Sequence, residues 1–67
     1  MRLTYDSEAD ALYFSITSRE VHQTKHVDEN TLVDLDKEGN VIGVEVLFVK
    51  ERMPEFIAKI EAGELTA

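Results

Sequence analysis

Asp34, Asp36, Glu38 and Glu45 stand at the spacing of a loop that wraps a calcium ion. Such a loop reads Asp-x-[Asp/Asn]-x-[Asp/Asn]-Gly, then five residues, then Glu. Asp34 and Asp36 would fill the first and third ligand positions and Glu38 the fifth. Gly39 would make the sharp turn and Glu45 the bidentate last contact. Glu38 alone departs from the allowed residue types. The flanks oppose an ion cage, because a calcium loop joins two helices, whereas 31–35 and 41–46 are β-branched, strand-forming runs. On strands the same residues make a hairpin: Asp36 opens a turn and Gly39 supplies positive φ. The sequence therefore predicts a hairpin with an acidic rim, without a cofactor. Asp34, Asp36 and Glu45 are then contacts for a basic partner, and the four acids together are the ligands of the alternative, an ion site.

Other chemical groups are sparser. His22 and His26 could clamp zinc on a helix, but on a strand they are too far apart for one ion, and no cysteine adds a ligand. Ser7, Ser15 and Ser18 have no nucleophile-elbow context, and no glycine-rich phosphate loop is present. A chain this short leaves little room for a cleft of about 300 Å³ or more, so an enzyme is not expected. Asp6 and Asp10 read as carboxylates that bracket and hydrogen-bond a turn, with Tyr5 and Leu12 meeting across a hairpin.

The elements that must position these groups follow from periodicity. Residues 2–5, 11–17 and 21–27 read as strands, the third polar and fit for an edge, with one helical turn at 7–9. Residues 31–36 and 41–48 form two more strands around the Lys37–Asn40 turn. Gly43 interrupts the last of them, the mark of a bulge or of a close approach by another backbone. Met53, Phe56, Ile57 and Ile60 then follow the stripe of an amphipathic helix, with Pro54 in its first turn and Gly63 at its end. Lys59 is spaced to pair with Glu55. The expected fold is α+β: a small antiparallel sheet of about five strands in a hairpin meander, residues 1–49, with one C-terminal helix and tail, residues 50–67, in the same single domain.

The chain has 67 residues and a formal net charge of −7. At this length the core alone is marginal, and without cysteine the usual supplement is an oligomer. A homodimer is expected, through strand edges or through the Met53, Phe56, Ile57 and Ile60 stripe. Residues 1–49 hold ten acids against four bases. That charge repels phosphate backbones, excluding direct nucleic-acid binding, and steers a basic protein favourably. No window is apolar enough for a membrane span, and the first residues lack the apolar region of a signal peptide, so a cytoplasmic setting is expected.

Two blocks then stand out together: Tyr5-Asp6-x-Glu8-Ala9-Asp10-Ala11-Leu12-Tyr13, and Val33-Asp34-Leu35-Asp36 followed by Gly39 and Val41-Ile42-Gly43-Val44-Glu45-Val46-Leu47. They resemble the small bacterial domain family of unknown function DUF2283, over roughly residues 2–49. The resemblance implies a β-rich domain of bacteria and some phages with no agreed activity. It also implies genes lying beside another small family suspected of being a toxin, hence an antitoxin-like role. The function expected is a non-enzymatic protein-binding module. The alternatives are a divalent-metal regulator or small hydrolase built on the four acids, and a purely structural accessory domain.

Overall fold

The structure, a computed structural model, describes residues 1–63. The tail beyond Gly63 lies outside the described residues. Five strands, β1 (Arg2–Asp6), β2 (Ala11–Ser15), β3 (Gln23–Asp28), β4 (Thr31–Leu35) and β5 (Val41–Leu47), are followed by helices α1 (Val49–Arg52) and α2 (Pro54–Glu61). All strand pairs are antiparallel, and the order across the sheet is β1-β2-β5-β4-β3. The fold is the small α+β arrangement expected, but its order is not a simple meander. β5 enters between β2 and β4, and residues 16–22 carry the chain from β2 to the far edge. Apolarity explains the choice. β5 contains buried Ile42 and Gly43 and takes the centre, while every residue of β3 is exposed, as suits an edge.

Several boundaries differ from the sequence reading. β2 stops at Ser15, because the N–H groups of Ile16 and Thr17 both donate to the Ile42 carbonyl (2.9 and 3.3 Å). β3 starts at Gln23, leaving His22 outside it, with the His22 N–H on the Leu35 carbonyl (2.8 Å). Residues 7–10 form a turn, not a helical turn: the Asp6 carboxylate accepts the N–H groups of Glu8 and Ala9 and holds them there. The expected helix is α2, with Pro54 at its start, and a short helix that the sequence did not suggest, α1, precedes it across a break at Met53. The break sits at a residue that precedes proline, which is pushed out of the helical region. Gly63 at φ 78° ends α2 as anticipated.

The helices cover one face only. Leu12, Val49 and Ile57 form the buried cluster there, with Leu3, Tyr5, Val46, Phe56 and Ile60 packed around it. The smallest extent of the molecule, 16 Å, is that of one sheet and a single helical layer. Its radius of gyration of 12.4 Å exceeds the roughly 11 Å of a compact globule of this length. Among the described residues no helix lies on the other face of the sheet.

Candidate functional site

On the helix-free face the register lays side chains in rows across the strands. One row runs Thr4, Tyr13, Glu45, Leu32, His26, through all five strands in sheet order. The next runs Arg2, Ser15, Gly43, Asp34, Thr24. Tyr13 reaches from the first row into the second, across Gly43, and donates its hydroxyl to Asp34 Oδ2 (2.8 Å). Thr24 donates to the other oxygen of Asp34 (2.7 Å). A Cβ on Gly43 would overlap the Tyr13 hydroxyl and stand 2.7 Å from its Cζ. Gly43 is therefore the floor on which the Tyr13 ring lies. Both readings of this glycine have a counterpart: the β4–β5 register slips by one at Ile42, a bulge, and the approaching group is a side chain instead of a backbone. The bond to the Asp34 carboxylate, with burial and the charges of Asp34 and Glu45, pushes the Tyr13 hydroxyl above its ordinary pKa.

The four acids of the hairpin lie in four different environments. Asp36 is 5% exposed and turned into its own loop. One of its oxygens accepts the N–H groups of Glu38 and Asn40 (2.9 Å each). The other accepts the Asn40 amide (3.4 Å) and Arg19 Nη1 (3.1 Å). The Asn40 N–H leads the contacts that outweigh burial, and the carboxyl is held below the usual range. Gly39, at φ 86°, closes the turn with its N–H on the Asp36 carbonyl (3.0 Å). Glu38 is exposed and only skirts Arg19 (3.6 Å). Asp34 is held by Tyr13 and Thr24. Glu45 is half-buried between Tyr13 and Leu32, with no hydrogen bond or ion pair among the described residues. The structure thus aligns Asp34 and Glu45 on one face and removes Asp36 from it. Among the described residues no three His, Asp or Glu groups converge as metal ligands.

The helix stripe is mostly spent on the chain's own core. Ile57 is fully buried, Phe56 and Ile60 pack against its cluster, and Met53 stays 41% exposed. Asp10 has a role that the sequence did not suggest. At φ 51° it lies in the left-handed region, accepts the Tyr5 hydroxyl (2.7 Å), and caps α1 from forty residues away by accepting the Lys50 N–H (2.8 Å). Burial disfavours its charge, but the N–H groups of Lys50 and Glu51 and the Tyr5 hydroxyl outweigh it, so its carboxyl lies below the ordinary range. The same hydrogen bond, with burial and nearby carboxylates, takes Tyr5 up to about 12.

Two hollows dent the surface, although the length of the chain argued against any of this size. One of about 470 Å³ lies between the residue 19–22 connection and the Asp36 turn. The other, about 350 Å³, lies on the helix-free face between Thr4, Asp6, Ala11, Tyr13, Glu45 and Leu47. Both are open to solvent. No described helix is long and apolar enough to cross a membrane.

A five-stranded antiparallel sheet with two short helices on one face defines a small α+β domain whose polar face carries no other described element. The chain belongs to the family described as "Protein of unknown function (DUF2283)", whose model matches residues 2–50. That span holds the whole sheet, the Tyr13–Gly43–Asp34 crossing and the first residues of α1; α2 lies beyond it. No curated protein and no solved structure matches the chain.

Proposed function

We propose that this chain is a non-enzymatic protein-binding module that receives a basic partner on the helix-free face of its sheet. The observation that carries the reading is Glu45, a half-buried carboxylate without a partner among the described residues, in the wall of an open hollow. With no compensating group among the described residues, its carboxylate is available to take a charge-assisted hydrogen bond from an incoming Lys or Arg. Tyr13 and Leu32 on either side give the stem of such a side chain an apolar surface. The net charge of −7 brings a cationic protein in from solution and disfavours nucleic acid. An antitoxin-like role, neutralising a small basic toxin, is the finer form of this reading, and a cytoplasmic setting accords with a cysteine-free chain.

The test pairs wild-type and Glu45→Gln proteins as baits in the native host, followed by titration of any captured protein. A basic partner retained by the wild type and bound about tenfold more weakly by Glu45→Gln supports the reading. A partner that binds both baits equally, or one of acidic character, overturns it.

A further inference from the structure

We propose that β1 is a self-pairing edge and that two copies of the chain join through it into one continuous ten-stranded sheet. Among the described residues the sheet has two open edges, β1 and β3, and they are built differently. β3 is defended: its register slips at Val27, a bulge, Lys25 stands on it, and all six of its residues are exposed. β1 has neither bulge nor lysine nor proline, and its register with β2 is unbroken over all five residues. It is the edge left able to take another strand.

Its sequence, Arg2-Leu3-Thr4-Tyr5-Asp6, selects the partner. A two-fold axis perpendicular to a sheet keeps each side chain on its own face, so antiparallel self-pairing must set residues of the same face opposite each other. Centred on Thr4, that rule places Arg2 opposite the partner's Asp6, Asp6 opposite the partner's Arg2, and Leu3 opposite the partner's Tyr5. Two ion pairs form on the helix-free face. Two apolar pairs form on the helix side, where Leu3 and Tyr5 already pack against the core cluster. No other centre on β1 uses all five residues with both charges matched. Asp6 remains free to take part, because the turn N–H groups of Glu8 and Ala9 use only its Oδ1. Whichever alternate residues point their backbone outward, the pairing adds about four to six inter-strand hydrogen bonds.

The rest of the molecule gives the edge a reason to be covered. Among the described residues only four hydrophobic side chains are buried, and the body is flatter than a globule of its length. Pairing also carries the partner's Arg2 to Asp6 at the rim of the 350 Å³ hollow, leaving Glu45 as its unmatched charge. The inference does not depend on the protein-binding reading, and its test is separate.

Because the chain has no cysteine, a single Thr4→Cys substitution supplies one thiol on the dyad. Directly opposed antiparallel residues lie about 4.5–5.5 Å apart at Cα, within the span that a disulfide bridges. Mild oxidation of Thr4→Cys is expected to give a covalent dimer in high yield, while Gln23→Cys on β3 does not. Sedimentation of the unmodified chain across roughly 1 μM to 1 mM is expected to show a monomer–dimer equilibrium. Arg2→Glu should weaken it at least about tenfold, because both ion pairs become repulsions. Arg2→Glu combined with Asp6→Asn should regain part of that loss, since Asn keeps the turn acceptor. A monomer throughout the range, cross-linking at Gln23→Cys instead of Thr4→Cys, or an Arg2→Glu dimer as tight as wild type overturns the proposal.

Discussion

Substituting Gly43 by alanine is the most direct test of how the helix-free face is held. In an ordinary strand the change stabilises, by about 0.5–1 kcal/mol, because it restricts the unfolded chain. Here the new methyl would occupy the space of the Tyr13 hydroxyl and approach Cζ within 2.7 Å, so the ring must leave. Its departure breaks the 2.8 Å bond to Asp34, a charge-assisted hydrogen bond of about 1.5–3 kcal/mol. It also returns part of a half-buried aromatic to water, about 1 kcal/mol more. The net expectation is a loss of about 2–3 kcal/mol. For a domain this small that lowers Tm by about 10–20 °C. Urea and thermal denaturation followed by circular dichroism measure it. The decisive control is the same substitution in a Tyr13→Ala background, where Gly43→Ala should be neutral or stabilising, giving a coupling of about 2–3 kcal/mol. If Gly43→Ala matches wild type, or is as harmful without the tyrosine as with it, the ring does not rest on Gly43 and the reasoning fails.

Further outcomes follow from the core, the corner into α1 and the titrating groups. Ile57→Ala should cost about 2–5 kcal/mol in urea denaturation because Ile57 is fully buried, whereas Met53→Ala, at an exposed site, should stay within about 1 kcal/mol. Phe48 is an aromatic residue at φ 56° and about half exposed, so Phe48→Gly should leave stability unchanged or raise it by up to about 1 kcal/mol, read from the same denaturation curves. Asp10, Asp28 and Asp36 all titrate lower in the folded chain, so their contribution is complete above about pH 4 and is lost as pH falls through the folded values. Tyr5, at about 12, and Tyr13, also raised, act in the opposite sense: their contribution is complete below about pH 10 and is lost as pH rises through the folded values. The urea midpoint against pH should therefore fall at both ends, with a shallower acid limb in Asp36→Asn.

The strands and the α2 stripe were legible because their signals are local: alternation in 11–15 and 41–47, and the i, i+3, i+4, i+7 spacing from Met53. Strand order was not legible in the same way. Which hairpin docks beside which depends on matching whole faces, and the polar run 23–28 revealed only that it belongs at an edge. The site was legible in its residues and not in their roles. Gly43 carried a readable sign, a glycine amid β-branched neighbours, but nothing local named Tyr13 as the group above it. Asp10 and Lys50 meet across forty residues, and Arg19 reaches Asp36 from an irregular connection, so spacing along the chain held no trace of either contact.

Asp34 and Asp36, two residues apart, show why ion-loop spacing does not make an ion loop. Asp36 follows the last residue of β4 and folds back onto its own turn. Asp34 lies within the strand and ties Tyr13 of β2 to Thr24 of β3, over Gly43 of β5, so one carboxylate links four strands. Both of its bonds are donated by hydroxyls, one to each oxygen. Asp34→Asn keeps a single acceptor oxygen and turns an amide toward the other hydroxyl, a loss of about 1 kcal/mol. A structural link loses that amount whether or not calcium is present. An ion site behaves differently, because bound calcium at a hundred times its dissociation constant adds about 2.7 kcal/mol to the wild type alone. Melting the wild type and Asp34→Asn with chelator and with millimolar calcium separates the two. A gap between the curves that stays constant fits the four-strand link, and a gap that widens with calcium restores the ion loop.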